Sequence, residues 1–510
     1  MKKETIRYGA LTLVFTNSVV KLMSLVYRSV TVRMIGTEGL GLTEMMMPFY
    51  SFLLVIASWG IPLAISNLIS VEQSENKAHF ILHTGAILLF FNGSIVTIIT
   101  AICLFLFPHI IFSDSRIIPG FCVLLPSIIV ISVFSALRGY FQGNHKSSEI
   151  GKSQVTEQTV RMILGITIIF CLLRKNYSLS IILIGFSLSS FVAECCGGLY
   201  LWKRFRKSSH FKVRGFQKNL AADMLKKGTP ITLSRLMISS TAAIQAIIIP
   251  HAMIHQGSSP AEAASFFGIF AGVALTVLHL PSVITGALST PLIPAIATAN
   301  AKGNKTLQNH QIEKSIFVTN ITAIPVLALL FYYAKEICQI LFATPEAGPM
   351  LSILCLGGIF LYLQQPIIAI LQGMNRFTAI FIHYCIADVL YLTFLYLLGH
   401  SAYYSTEAML ILFLADDAVV FTLNYIYLKK ITHFGISRLK TYFTPLLGVF
   451  AGFTVLIPAE KYIMQTNITE IVTIILSACL FLFIYLLTLY LSGAVNNPTV
   501  FFPLKKQKRH

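Results

Sequence analysis

The sequence predicts an all-α polytopic membrane protein: fourteen transmembrane helices, built as two parallel six-helix repeats plus two C-terminal helices, around a central cavity. Three observations predict it. The 510 residues are 55% hydrophobic and 11% charged, with a mean hydropathy of +0.76, whereas a soluble domain carries roughly 25% charged residues. Apolar runs of about 20 residues, the length that crosses a bilayer, recur along the chain. Lys and Arg sort between alternate loops as the positive-inside rule requires. A formal charge of +18 therefore points to a membrane protein and not to a nucleic-acid binder.

In chain order the apolar runs are 9–33, 43–69, 80–108, 117–138, 153–173, 178–202, 228–251, 265–297, 315–334, 348–371, 377–399, 406–428, 441–459 and 469–492. With the N-terminus inside, cytoplasmic segments hold 28 of the 38 Lys and Arg and outer loops hold six. This predicts a multi-pass protein of the cytoplasmic membrane with both termini cytoplasmic. Nine basic residues lie between Lys203 and Lys227, which reads as a linker. The predicted organisation is an N-terminal half at 1–202, the basic linker at 203–227, a C-terminal half at 228–440, two extra helices at 441–492 and a basic tail at 493–510. The basic loops and the Lys505 to Arg509 tail read as topology determinants that also contact anionic lipid head groups.

Nine cysteines lie in apolar runs without metal-ligand spacing and read as packing residues. No signal peptide is predicted, because the first apolar segment carries charges and no small-residue cleavage site.

An internal repeat supports the two halves. Gly60-Ile61-Pro62-Leu63-Ala64-Ile65 matches Ser289-Thr290-Pro291-Leu292-Ile293-Pro294, Phe141-Gln142-Gly143-Asn144 matches Leu371-Gln372-Gly373-Met374-Asn375, and Glu157 matches Asp388. The offsets are nearly equal. Since each half has an even number of spans the repeats are parallel, an architecture that places substrate between the halves and works by rocking.

Polar residues within the spans mark candidate sites. Asn17, Lys21, Ser24, Arg28 and Thr31 share one face of the first helix. A charge near the bilayer centre costs about 2.5–3.5 kcal/mol, so this stripe reads as cavity-lining. Thr232, Arg235 and Ser239 form the counterpart in the seventh span, with snorkelling of Arg235 as a rival reading. Glu157 and Arg161 form an i,i+4 pair, either structural or in a cavity. Carboxylates at Glu44, Glu194, Asp388, Asp416 and Asp417 are candidates for ion coupling, chiefly Glu157, Asp388 and Asp417; Glu44 reads as interfacially solvated. The eighth span carries His279 and Pro281, Pro291 and Pro294, which with Pro62 are candidate kink or gating positions. His279 and His383 read as buried, hydrogen-bonded imidazoles and not metal ligands.

No Walker loop, H-E-x-x-H or G-x-S-x-G occurs, so the chain is not expected to be an enzyme. Gly36-Thr37-Glu38-Gly39-Leu40-Gly41 resembles a phosphate loop only by composition. No cofactor or metal is expected, and energy would come from an ion gradient, the membrane potential or the substrate.

The run Arg28-Ser29-Val30-Thr31-Val32-Arg33-Met34-Ile35-Gly36-Thr37-Glu38-Gly39-Leu40-Gly41-Leu42, with Pro48, Gly60-Ile61-Pro62-Leu63-Ala64-Ile65-Ser66 and Leu137-Arg138-Gly139-Tyr140-Phe141-Gln142-Gly143, resembles the polysaccharide flippase branch of the multidrug/oligosaccharidyl-lipid/polysaccharide exporter superfamily. The resemblance covers nearly the whole chain. It implies translocation of a polyprenyl-pyrophosphate-linked saccharide, lipid II for spore cortex peptidoglycan above others, with membrane lipids and cell-wall synthases as partners. It also implies that Lys21 and Arg28 line a cationic cavity for the pyrophosphate, and that the last two spans form a groove for the lipid tail. The intramembrane acids exceed what a purely cationic cavity needs. Substrate-binding candidates are therefore Lys21, Arg28, Arg235, Asn17, Ser24 and Arg161. Competing readings are a cation-coupled multidrug exporter, a flippase for teichoic-acid or capsule precursors, and a non-transporting scaffold. The oligomeric state is left open, a monomer being sufficient.

Overall fold

The computed structural model describes residues 2–72, 74–208, 215–289, 291–435, 437, 439–464 and 469–494, with side chains from Phe15 onward except at 208, 231, 234, 283, 284, 287, 288 and 464. Residues 209–214 of the predicted linker, Thr290 of the repeat and the basic tail from 495 lie outside the described residues. Every regular element among the described residues is helical, as a bilayer requires when a segment must satisfy its own backbone groups.

Among the described residues, thirteen helices are long and apolar enough to cross a membrane, where the sequence predicts fourteen. The difference arises at the start. The first predicted span and most of the second fall in one stretch, Phe15–Ser58, of 44 residues. A straight helix of that length would measure about 66 Å, twice the hydrocarbon core. It is not straight: α1 (Lys2–Ser58) is two helical runs joined at Gly36, whose φ of 71° and ψ of 179° leave the helical region. Only glycine adopts that conformation readily. Two residues on, Glu38 accepts from Arg116 Nη1 (2.7 Å), which also clasps Asp114. Hydrogen bonds to Asp114 first, then Glu38, hold the Arg116 guanidinium above the usual arginine range.

The chain forms two compact units. Unit 1 is Met1–Gly272 with Gly399–Ser401. After α1 it contains α2 (Ile61–Val71), α3 (Glu75–Leu106), α4 (Pro108–Ile111), α5 (Ile117–Gly143), α6 (Ser147–Arg174), α7 (Leu179–Ser208), α8 (Lys218–His255) and α9 (Pro260–Phe267). Unit 2 is Val273–Leu398 with Ala402–His510. It contains α10 (Leu275–His279), α11 (Ser282–Ser289), α12 (Leu292–Ala301), α13 (Lys305–Tyr332), α14 (Ala334–Phe342), α15 (Ala347–Gly373), α16 (Phe377–Gly399), α17 (Thr406–Thr432), α18 (Thr444–Met464) and α19 (Glu470–Leu491).

The division falls at Gly272 and not in the 203–227 linker. Much of that linker is helix, its ends continuing α7 and opening α8. Small residues hold α8 and α9 to the N-terminal helices: a Cβ at Gly41 would run into the Ala264 carbonyl oxygen, and Gly60 and Gly228 meet backbone to backbone. Such close approach is how helices associate where lipid offers no hydrophobic drive.

The eighth predicted span, 265–297, is broken. It runs through the end of α9, a π-helical turn at Gly268–Ala274, and then α10, α11 and α12. Pro281 stands between α10 and α11, Pro291 at the start of α12 and Pro294 in its first turn, where a missing N–H is harmless. Pro62 likewise lies in the first turn of α2.

The repeat is visible inside each unit. At the end of α5, Lys146 N donates to Phe141 O (2.9 Å) and His145 has a φ of 57°; at the end of α15, Arg376 N donates to Leu371 O (2.9 Å) and Asn375 has a φ of 60°. Both are Schellman-type stops. A Cβ at Gly143 would meet Ser66 O at 2.7 Å and Ile69 Cβ at 2.9 Å, and one at Gly373 would meet Ile293 O at 2.7 Å and Ile296 Cβ at 3.0 Å. Thus α5 crosses α2 as α15 crosses α12.

Because no atom lies within 4 Å of a Cβ built at Gly36, substitution there tests backbone strain alone. Gly36→Ala is expected to lower stability by about 1–3 kcal/mol, read as a lower thermal midpoint in detergent, whereas Gly435→Ala, at an open position without positive φ, should leave it unchanged.

Candidate functional site

The bend at Gly36 builds the site. Arg28 and Glu44 each lie eight residues from it, on opposite sides. On a straight helix they would be about 24 Å apart. Instead Arg28 Nη2 and Glu44 Oε1 are 2.8 Å apart. Arg28 Nη1 also donates to Gly272 O (3.2 Å), a carbonyl of the π-helical turn.

This ion pair forms one wall of a cavity of about 380 Å³ within unit 1. Ser24, Tyr27 and Thr31 line it from the first run of α1, and Met47 and Tyr50 from the second. Glu157, Gln158 and Arg161 come from α6, and Ser190 and Glu194 from α7. Arg161 Nη2 pairs with Glu157 Oε1 (2.9 Å) and Glu194 Oε1 (3.5 Å). Arg138 Nη2 reaches the other oxygen of Glu157 (2.8 Å). Tyr50 donates its hydroxyl to Glu194 Oε2 (3.1 Å) and is hydrogen-bonded to Ser127. The span hydroxyls are satisfied locally, Ser24 on Val20 O and Thr31 on Tyr27 O.

Three arginines thus face three carboxylates, and the network is formally neutral. Glu44 keeps 14% of its side-chain surface and Glu194 12%, against 31% for Arg28. The cations are the more accessible partners. An entering anion can reach arginine donors but must displace a carboxylate to use them fully. The planar guanidinium, with several fixed donors, suits phosphate or pyrophosphate oxygens.

Of the predicted substrate-binding residues, Arg28, Ser24 and Arg161 meet in this cavity. Asn17, Lys21 and Arg235 do not line it; their side chains are exposed. The helical stripe is therefore split: Lys21 is about 10 Å along the axis from Arg28, beyond the cavity. Glu44, read from sequence as interfacially solvated, is instead the half-buried partner of Arg28, because the bend folds it inward. Tyr50 and Arg138 were not singled out as site residues: no local spacing links Tyr50 to Glu194 or Arg138 to Glu157, whose contacts depend on how α1, α5, α6 and α7 pack.

The coupling candidates divide between units. Glu157 belongs to the cavity. Asp388 on α16 is buried, whereas Asp416 and Asp417 on α17 are half-buried; all three lie within electrostatic range of Tyr384. His383 Nδ1 donates to Asn424 Oδ1 (2.9 Å), a structural pairing as expected. His279 is hydrogen-bonded to Leu275 O but exposed. No group of three or more His, Cys, Asp or Glu placed to hold a metal occurs among the described residues.

Comparison with known proteins places this architecture. Residues 6–300 match the family described as polysaccharide biosynthesis protein. The chain belongs to this polysaccharide biosynthesis family. It is 27% identical over 387 residues to stage V sporulation protein B of Bacillus subtilis (strain 168), covering 74% of each chain. It is 24% identical over 400 residues to the lipid II flippase MurJ of the same organism, covering 72% of each. A solved structure of lipid II flippase MurJ, in an inward closed conformation, superposes with a TM-score of 0.70 at 14% identity, covering 94% of this chain and 98% of that one. This family member is thus a multi-pass membrane protein with the fold of the exporter superfamily that its sequence resembles. Where these relatives' names state an activity, it is lipid flipping and not an enzymatic reaction.

Arg161 shares Glu157 with Arg138 but is the arginine paired with Glu194, so its loss strands Glu194 without a counter-charge. Arg161→Gln should cost about 2 kcal/mol, below the 3–5 kcal/mol of a fully buried pair because the side chain keeps some exposure. Adding Glu194→Gln should recover part of that loss, measured as non-additive shifts of the thermal midpoint.

Proposed function

We propose that this protein is a flippase that carries a polyprenyl-pyrophosphate-linked saccharide across the cytoplasmic membrane, with lipid II for spore cortex peptidoglycan as cargo. The observation that carries the reading is the polar cavity in unit 1, where Arg28 and Arg161 offer guanidinium donors deep in a span region. Resemblance to a named lipid II flippase in sequence and fold supports it.

In this reading the cavity takes the pyrophosphate. Arg28 exchanges Glu44 for a phosphate oxygen, and Arg161 shifts from Glu194 toward the ligand. Because the network is neutral before the ligand enters, the pyrophosphate brings excess negative charge that the displaced carboxylates share, which works against tight retention of the cargo. Lys21 and Arg235, exposed outside the cavity, act as electrostatic guides toward it. Alternating access through the proline-bearing segments around Pro62, Pro281, Pro291 and Pro294 exposes the head group on the outer side. Asp388 and Asp417 are the coupling groups, responding to an ion gradient or the membrane potential. Both termini lie in the cytoplasm, and cell-wall synthases receive the product.

A second reading is an exporter of organic cations. It is favoured by Glu44, Glu157 and Glu194 lining the same cavity. The two readings differ in which charge must be removed to stop transport.

In liposomes with labelled lipid II, the wild-type protein should expose the head group to an impermeant probe, and Arg28→Ala should reduce that rate at least about tenfold, the loss of one charged hydrogen-bonded contact. Head-group exposure no faster than in empty liposomes, with the protein shown to be folded, would overturn the lipid II assignment. Export of a fluorescent organic cation that survives Arg28→Ala but not Glu194→Gln would favour the second reading.

A further inference from the structure

A second cavity, of about 430 Å³, opens on unit 1 away from the ion network. Its walls are Leu82, Phe90 and Phe91 of α3, Phe134 of α5, and Trp202 and Phe205 of α7. It is almost wholly apolar. Phe90, Phe91 and Trp202 are also exposed, so the hollow faces outward from the helix bundle. From Leu82 to Phe91 it runs about 13 Å along α3. A water-filled apolar hollow at this depth would be costly, and a hydrocarbon chain is the chemistry that fills it.

One end of the hollow is charged. The ring of Trp202 lies beneath the Arg206 guanidinium, 5.6 Å from its centroid, which fixes a cation at the mouth. Lys203 and Lys207 stand beside it, exposed. Arg204, in the same turn, is paired with Glu149 (3.1 Å). Among the described residues no carboxylate pairs with Lys203, Arg206 or Lys207. The floor is rigid: Phe205 packs edge-on against Tyr140 (5.1 Å) and His79 (5.4 Å). A chain-sized apolar slot ending in unpaired cations at a Trp-marked boundary is complementary to a lipid with an anionic head.

We propose that this hollow is a binding site for an anionic phospholipid, an acyl chain lying against Phe90, Phe134 and Trp202 and the phosphate held by Arg206 with Lys203 and Lys207. The site is separate from the cavity assigned to the cargo. It makes anionic lipid a ligand of unit 1 and not only its solvent.

The chain has two tryptophans, Trp59 and Trp202, so Trp202 reports on its own site in a Trp59→Phe protein. The full-length protein is reconstituted in vesicles in which phosphatidylglycerol or phosphatidylcholine carries brominated chains, and Trp202 quenching is measured against mole fraction. Brominated phosphatidylglycerol should reach half-quenching at a mole fraction several-fold lower than brominated phosphatidylcholine. Near a membrane surface each basic residue contributes about fivefold to such a preference. Arg206→Gln with Lys207→Gln should therefore remove most of it while leaving quenching by the zwitterionic lipid intact, which also shows that the protein remains folded. If Trp59→Phe does not fold, the same signal is the difference between wild type and Trp202→Phe. Equal quenching by the two lipids, or a preference untouched by the double substitution, would overturn the proposal. So would relief of quenching by undecaprenyl pyrophosphate at a lower mole fraction than unbrominated phosphatidylglycerol, since the site would then belong to the cargo.

Discussion

Charge matching inside a bilayer is the constraint on which unit 1 depends. A lone guanidinium or carboxylate at that depth is costly, whereas a paired one is tolerated. The helices carrying Arg28, Arg138, Arg161, Glu44, Glu157 and Glu194 are therefore arranged so that each ionisable group meets an opposite one. The bend at Gly36 serves this constraint directly. Without it, residues eight positions to either side would sit on one long rod and never meet. The close contacts of Gly41 with Ala264 and of Gly268 with Thr37 then seat α9 against the bend, and bring the Gly272 carbonyl within reach of Arg28.

The neutrality of this network also bears on function. A cavity lined only by cations would hold a pyrophosphate tightly and release it slowly. Here each of the three arginines already has a carboxylate partner, so in the proposed reading ligand and protein compete for the same donors. Such competition weakens binding but returns the cations to a matched state when the ligand leaves. Transport needs a site that can let go, and under the proposed function internal counter-ions would provide it.

The two units repeat a backbone plan but not its chemistry. Gly143 of α5 packs against α2 as Gly373 of α15 packs against α12, and the acid recurs as Glu157 and Asp388. The arginines do not recur. At the same offsets, Leu392 stands where Arg161 would be and Ile368 where Arg138 would be. Asp388 instead shares its neighbourhood with Asp416, Asp417 and Tyr384. The duplicated scaffold thus holds a balanced ion network in one unit and an acidic group in the other. Much of this was legible in the sequence. Hydropathy gave the helical membrane class, and matched motifs gave the repeat. The i,i+4 spacing gave the Glu157–Arg161 pair, and prolines marked the break in the eighth span. What the sequence could not convey were the contacts between helices. Arg28 with Glu44 requires the Gly36 bend, Glu194 with Tyr50 requires α7 against α1, and the exposure of Lys21 and Arg235 depends on which helix faces are covered. Periodicity places residues on a face, and packing alone decides what that face meets. The division at Gly272 was hidden for the same reason, since glycine contacts fasten α8 and α9 to α1 and α2 regardless of the basic linker.

Under the proposed function Glu44 and the cargo's pyrophosphate compete for Arg28, and equilibrium binding of lipid II to detergent-solubilised protein measures that competition. Glu44→Gln, which keeps the shape and removes the charge, should tighten binding by about tenfold, of the order of one charge-assisted hydrogen bond freed for the ligand. Arg28→Gln should weaken it, and the double substitution should bind no more tightly than Arg28→Gln alone. Binding by Glu44→Gln that is equal to or weaker than wild type, in folded protein, would show that Glu44 does not compete with the ligand for Arg28.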